Sequence, residues 1–236
     1  MTRTLLLASA MLAAASLPAR AAAPPPVVAE LFTSQGCSSC PPADRLLARL
    51  KATRPDLLVL DFHVDYWDRL GWRDPFSLHA ATQRQEQYAA TLHGEVYTPQ
   101  LVVAGRQAVV GSDGEAVGAA LTQARAEQAH IPGATLALSR SGDRIAIDLG
   151  AGDPGVGGAG EVLLVSFDAE HTTPVGRGEN SGRTLTEVNV VRSWRSLGVW
   201  DGKAVRFVAE VAAGQRAAVL VQGVDGRIVA AGEVQG

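Results

Sequence analysis

The chain has 236 residues, a formal net charge of −3 and 47% hydrophobic residues. That length is enough for one large domain or two small ones, each with a real core, and the absence of any basic stripe argues against nucleic acid as a partner. Cys37 and Cys40 are its only cysteines.

The N-terminal segment reads as a targeting signal. Thr2-Arg3 is a short cationic start, Leu5 to Leu17 is apolar apart from Ser9 and Ser16, and Pro18 leads into Ala19-Arg20-Ala21-Ala22-Ala23. This order predicts a secretory signal peptide over 1–23, with Ala21 or Ala23 the last residue removed. A retained anchor is the lesser reading, because the run is short for a bilayer. With no second long apolar stretch, the sequence predicts a periplasmic or secreted protein that is not integral to the membrane.

Val27 to Phe32 predicts a buried strand and Thr33-Ser34-Gln35-Gly36 a turn before the cysteines. Pro41 and Pro42 suit the first turn of a helix, in which Leu46, Leu47 and Leu50 share a face. Leu57 to His63 predicts a second buried strand. Strand, C-x-x-C, helix, strand is the opening of a thioredoxin-type βαβ unit. Val64 to Phe76 reads as loop, Leu78 to Leu92 as helix, Leu101–Val103 and Gln107–Val110 as a hairpin, and Glu115 to Gln128 as a closing helix. The unit ends near His130, before Pro132-Gly133.

Beyond that point the pattern is strand throughout: Leu136–Leu138, Ile145–Leu149, Val162–Phe167, Thr184–Val191, Ala204–Val211, Ala217–Gln222 and Arg227–Glu233. The expected organisation is a thioredoxin-like α/β domain over 24–130, with a central mixed sheet flanked by helices, followed by an antiparallel β-domain over 131–236, a small sandwich.

The pair Cys37-Ser38-Ser39-Cys40 carries the strongest chemical signal. A thiol at a helix N-terminus ionises more readily than a free one, so Cys37 is the expected nucleophile and Cys40 the resolving thiol. A metal site and an inert bridge are the alternatives. Zinc wants more ligands than this pair supplies, and so small a loop gives a bridge little to stabilise. Thr98-Pro99 stands where a cis-proline is expected beside such a pair, and its backbone could pair with an extended substrate. Glu30, an acid in an apolar strand, has two readings: a proton relay beneath the disulfide, or a carboxylate at a sheet edge or paired with an Arg. His63, Asp65 and Asp68 suggest a metal cluster, but close spacing in sequence does not show convergence in space, and one His with carboxylates is a poor transition-metal set unless Cys37 and Cys40 join it. The preferred reading is a cap on the strand, with Trp67 and Trp72 covering one side of the cysteines.

Glu30 to Asp44, spanning ELFTSQGCSSCPPAD, resembles the signature of an uncharacterised bacterial family, domain of unknown function 1223. His63-Val64-Asp65-Tyr66-Trp67-Asp68, Gly71-Trp72, Tyr97-Thr98-Pro99-Gln100 and Gly178-Glu179-Asn180-Ser181-Gly182-Arg183 resemble its further blocks. The resemblance implies a thioredoxin-like fold and an exported location, and no reaction. It also suggests that Arg177 to Arg183 folds back over the cysteine pair, against the alternative of an exposed linking loop.

These readings converge on an exported thiol–disulfide oxidoreductase for protein or peptide thiols. Cys37, Cys40 and Glu30 are its expected catalytic residues, with Thr98, Pro99 and Trp67 toward the substrate. No cofactor is expected. The rivals are a chaperone holding Cu(I) between Cys37 and Cys40, with His63 as a further ligand, and a partner-binding module on the same scaffold.

Overall fold

The computed structural model describes residues 25–128, 135–153 and 159–234; the expected signal segment, His130 and Pro132-Gly133 lie outside them. Strand β1 (Val27–Thr33) and strand β2 (Leu57–His63) run parallel, joined by helix α1 (Pro41–Thr53). A 3-10 turn at Asp68–Leu70 and helix α2 (His79–Leu92) lead to strands β3 (Gln100–Val103) and β4 (Gln107–Val110), then to helix α3 (Gly114–Gln128). β3 lies antiparallel to β1 and forms a hairpin with β4.

Strand alternation divides β1 between two cores. Val27, Ala29 and Leu31 cluster with Ala43 and Leu47 of α1 and with Val117 and Leu121 of α3. Val28 and Phe32 cluster with Ala81 and Tyr88 of α2. One face of the strand therefore carries the helix that follows the cysteines, and the other faces α2.

The second half contributes β5 (Leu136–Ser141), β6 (Arg144–Leu149), β7 (Gly160–Pro174), β8 (Thr184–Trp200), β9 (Val205–Glu210), β10 (Arg216–Gly223) and β11 (Ile228–Glu233). Four of these strands extend the first sheet, giving the order β11-β10-β7-β8-β2-β1-β3-β4. The joint is a parallel contact of β8 with β2 at Asp61 and Val190. The sequence-based expectation of a β-region with its own sheets is corrected here: the separate antiparallel sheet has three strands, β5-β6-β9. It covers the end of the large sheet, where Ile145, Ile147 and Leu149 meet Val162, Leu164, Val219 and Val221 around buried Trp200.

β7 and β8 form a ribbon of 15 and 17 residues, much longer than their apolar segments suggest. Register shifts after Val162 and Ser166 change which side chains face the core. Such bulges break the two-residue alternation on which strand recognition depends.

Candidate functional site

β1 ends at Thr33, and the turn Ser34-Gln35-Gly36 delivers Cys37 to the start of α1. Cys37 and Cys40 form a disulfide, and both residues are fully buried. Cys40 caps α1; its carbonyl accepts the N–H groups of Ala43 at 2.8 Å and Asp44 at 3.2 Å. Cys37 Sγ lies 3.3 Å from the Ser39 hydroxyl.

The peptide bond between Thr98 and Pro99 is cis. Pro99 sits close to the first turn of α1: a Cβ placed on Gly111 would meet Pro99 Cβ at 3.5 Å and Ala43 Cβ at 3.3 Å. Trp67 donates its indole N–H to the Thr98 hydroxyl at 2.8 Å. The same residue crowds Gly36, where an added Cβ would lie 3.2 Å from Trp67 Cβ. Trp72 donates to Gln35 Oε1 at 3.1 Å. Thr98, Pro99, Trp67 and Trp72 are thus gathered around the segment from Gln35 to Ala43.

Glu30 points elsewhere. It lies between Val28 and Phe32 on the α2 face of β1, and its Oε1 accepts two hydrogen bonds from Arg84, at 2.8 and 3.1 Å. Its Oε2 accepts the Tyr88 hydroxyl. Arg84 also donates to Gln222 Oε1 at 3.0 Å, so the network ties β1 through α2 to β10. Of the two sequence readings, the structure displays the pairing with an Arg.

The acids on the cysteine side belong to other positions. Asp44 on α1 accepts the Thr33 hydroxyl at 2.8 Å. His63 Nδ1 lies 2.7 Å from Asp74 Oδ2 and its Nε2 lies 3.6 Å from Asp61 Oδ2. Gln35 links this cluster to the cysteine turn: its N–H donates to Asp74 at 2.8 Å and its side-chain amide to Glu187 at 3.2 Å. All five titratable groups are buried.

Burial pushes the Asp44 carboxyl well above its ordinary value, and the nearby Asp61 charge adds to the effect. Burial likewise raises Asp61, against the pull of His63. Glu187 is raised to about 7, chiefly by burial. For His63 burial opposes the cation, yet Asp74 and Asp61 together outweigh it and hold the imidazole well above its usual range. Asp74 is the exception: burial favours its neutral form, but His63 and donors that include two backbone N–H groups keep it ionised. Burial thus favours the protonated forms of Asp44, Asp61 and Glu187, in a cluster that Gln35 links to the cysteine turn.

Asp65 and Asp68 do not join it. Asp65 takes the Thr82 hydroxyl, and His79 Nδ1 lies 2.9 Å from its Oδ2. Asp68 accepts the Asp74 N–H at 3.1 Å and the Ser77 hydroxyl at 2.8 Å. Among the described residues no group of three or more His, Cys, Asp or Glu is arranged to hold a metal ion.

The loop from Val175 to Arg183, between β7 and β8, closes the site. Val175 donates to Arg183 O at 2.8 Å and Gly182 to Val175 O at 2.8 Å, pinching the loop at its base. Asn180 is fully buried; its amide donates to Gln35 O at 2.9 Å and to Cys37 O at 2.8 Å. Glu179 Oε2 accepts the Ser38 N–H at 3.0 Å. Gly178, with φ of +74°, packs on Trp72, where an added Cβ would stand 3.0 Å from Trp72 Cβ. The sequence block around Asn180 foretells a loop folding back but not these contacts. His63 was singled out only as a metal-ligand candidate, and its pairing with Asp61 was missed, although two polar residues with i, i+2 spacing in an apolar strand share one face.

Fold and site together define a mixed α/β protein with a disulfide of C-x-x-C spacing at the start of a helix. Over residues 28–222 the chain belongs to the family described as protein of unknown function (DUF1223). A crystal structure of an Agrobacterium tumefaciens protein is similar at 32% identity with a TM-score of 0.76, covering 89% of this chain and 94% of that one. HBP35 of Porphyromonas gingivalis shares the fold at 13% identity with a TM-score of 0.63, covering 91% of this chain and 76% of that one. The comparison with curated proteins gave no match. Among the described residues no helix is long and apolar enough to cross a membrane.

Proposed function

We propose that the chain is a thiol–disulfide oxidoreductase of thioredoxin-like fold that acts on protein or peptide thiols after export. The observation that carries this reading is the disulfide at the start of α1, with Pro99 beside the helix's first turn. The order β2-β1-β3-β4, with α1 and α3 on one face and α2 on the other, is the arrangement expected of that fold. The secretory signal read from the sequence would take the chain to an oxidising compartment, where such a bond persists.

In the reducing direction the Cys37 thiolate attacks one sulfur of a substrate disulfide and expels the other as a thiolate. Cys40 loses its proton and attacks Cys37 Sγ, restoring the Cys37–Cys40 bond and releasing the second substrate thiolate. Two electrons pass from the protein dithiol to the substrate. The reverse sequence oxidises a substrate dithiol. We assign the proton from Cys40 to the buried cluster, of which Asp44 stands four residues further along α1 with its N–H on the Cys40 carbonyl. This role moves from Glu30, whose two oxygens are held by Arg84 and Tyr88.

The test is a trapping experiment. Cys40→Ser should accumulate a mixed disulfide on Cys37, visible as a mass increment that dithiothreitol removes. Cys37→Ser should lose exchange activity by at least about a hundredfold, since the attacking thiolate is gone. Full exchange activity in Cys37→Ser would refute the assignment.

A further inference from the structure

The turn that must hold a Cys37 thiolate has few N–H groups to offer. Pro41 and Pro42 have none, Cys40 gives its N–H to Cys37 O at 3.2 Å, and Ala43 and Asp44 give theirs to Cys40 O. A further donor, the Ser38 N–H, goes to the Glu179 carboxylate at 3.0 Å. Ser38 adjoins Cys37, so this carboxylate places a negative charge on the peptide N–H next to the residue where the thiolate forms. Neighbouring like charges disfavour each other even at a protein surface. Hydrogen bonds from Ser38 hold the Glu179 carboxyl below its ordinary range, so the charge is present at neutral pH.

The carboxylate is held there by its loop. Asn180 anchors the next position through two bonds to the carbonyls of Gln35 and Cys37, and Arg183 donates to Asn180 Oδ1 at 3.1 Å. Gly178, on the other side of Glu179, takes a backbone conformation that few residues other than glycine adopt and rests on Trp72. The position of Glu179 is therefore set by the fold, although its side chain is open to solvent.

Building on the exchange reading above, we infer that Glu179 is a positioning residue for the reaction: its carboxylate, held on the Ser38 N–H by the Val175–Arg183 loop, restrains ionisation of Cys37. The other charged groups around the turn are Asp44 on α1, His63 and Asp61 on β2, Asp74 beyond it, Glu187 on β8, and Arg183 within the loop. None of them is altered by a change at 179. The charge at that position can thus be varied alone.

The experiment uses the reduced full chain as wild type, Glu179→Gln and Glu179→Asp, with circular dichroism to show that each is folded. Iodoacetamide alkylation of Cys37 is followed by mass spectrometry from pH 5 to 9. Glu179→Gln should move the midpoint of the rate profile down by about half to one pH unit. Below the midpoint its alkylation should be about three- to tenfold faster, and Glu179→Asp should keep the wild-type midpoint. A merely structural role would change the plateau rate and leave the midpoint in place. Coincident midpoints for wild type and Glu179→Gln would overturn the inference, even if Cys40→Ser still traps a mixed disulfide. A shifted midpoint without a trapped mixed disulfide would support the role of Glu179 while removing the exchange reading.

Discussion

Replacing Arg84 with Ala should destabilise the fold by about 3–5 kcal/mol, the range for stripping one partner from a buried ion pair. Arg84 and Glu30 are 6% and 1% exposed, so the carboxylate left behind cannot be rehydrated without disrupting α2. The guanidinium also lies 5.6 Å from the ring centre of Phe62 and 5.0 Å from that of Tyr88, and it bonds Gln222 across the sheet. Its loss therefore loosens contacts among β1, α2 and β10 together. Removing both charges with Glu30→Gln and Arg84→Met should cost less than Arg84→Ala alone, because no unpaired buried charge remains. Urea denaturation of the two variants checks the order. A single variant more stable than the double one would mean that Glu30 has another partner of comparable strength.

The second large effect is on the dependence of stability on pH. Glu187 rises from its ordinary value of 4.5 to about 7 in the folded chain. Between those values the folded state keeps a proton that the unfolded state has released, so stability falls as pH rises through the window. A shift of that size corresponds to about 3 kcal/mol. Asp44, Asp61 and His63 act with the same sign, their folded forms also holding protons that the unfolded chain gives up. Asp74 opposes them: held low, it contributes stability at neutral pH that is lost as the solution is acidified. Glu187→Gln keeps an acceptor for the Gln35 amide and removes the titration. Its stability should fall less than that of wild type between pH 4.5 and 8, by about 3 kcal/mol. Superimposable pH profiles for the two proteins would contradict the assignment of that proton to Glu187.

The first half of the fold was largely readable from the sequence, because its elements obey simple periodicities. β2 is Leu57–His63 and β4 is Gln107–Val110, as the apolar runs predict, and α1 begins at Pro41. The second half was less readable for a definite reason. β7 and β8 continue past their apolar segments into residues such as Arg192, Ser193 and Arg195, whose pairing follows from the ribbon and not from burial. The joining of β8 to β2 is equally silent in the sequence, since it rests on one parallel contact between residues far apart along the chain.

At the site, Cys37, Cys40, Trp67 and Thr98-Pro99 announced themselves through spacing and residue type. The partner of Glu30 did not, because Arg84 lies 54 residues away on a helix that also carries Gln83, Gln85, Glu86 and Gln87. The buried acids were hidden in the same way. His63 draws its environment from Asp61 two residues earlier, Asp74 in the following loop and Glu187 on β8. Only the Asp61–His63 spacing was visible locally. Asn180 and Glu179 stood in a conspicuous block, but the carbonyls and N–H they engage belong to a turn more than 140 residues earlier.

The measurement that bears most directly on the central claim is the reduction potential of the Cys37–Cys40 pair, obtained by equilibrating the protein with glutathione buffers and trapping free thiols for mass analysis. A disulfide that exchanges with substrates should have a potential between about −120 and −270 mV. A value below about −300 mV would make the pair a structural bridge and contradict the oxidoreductase reading.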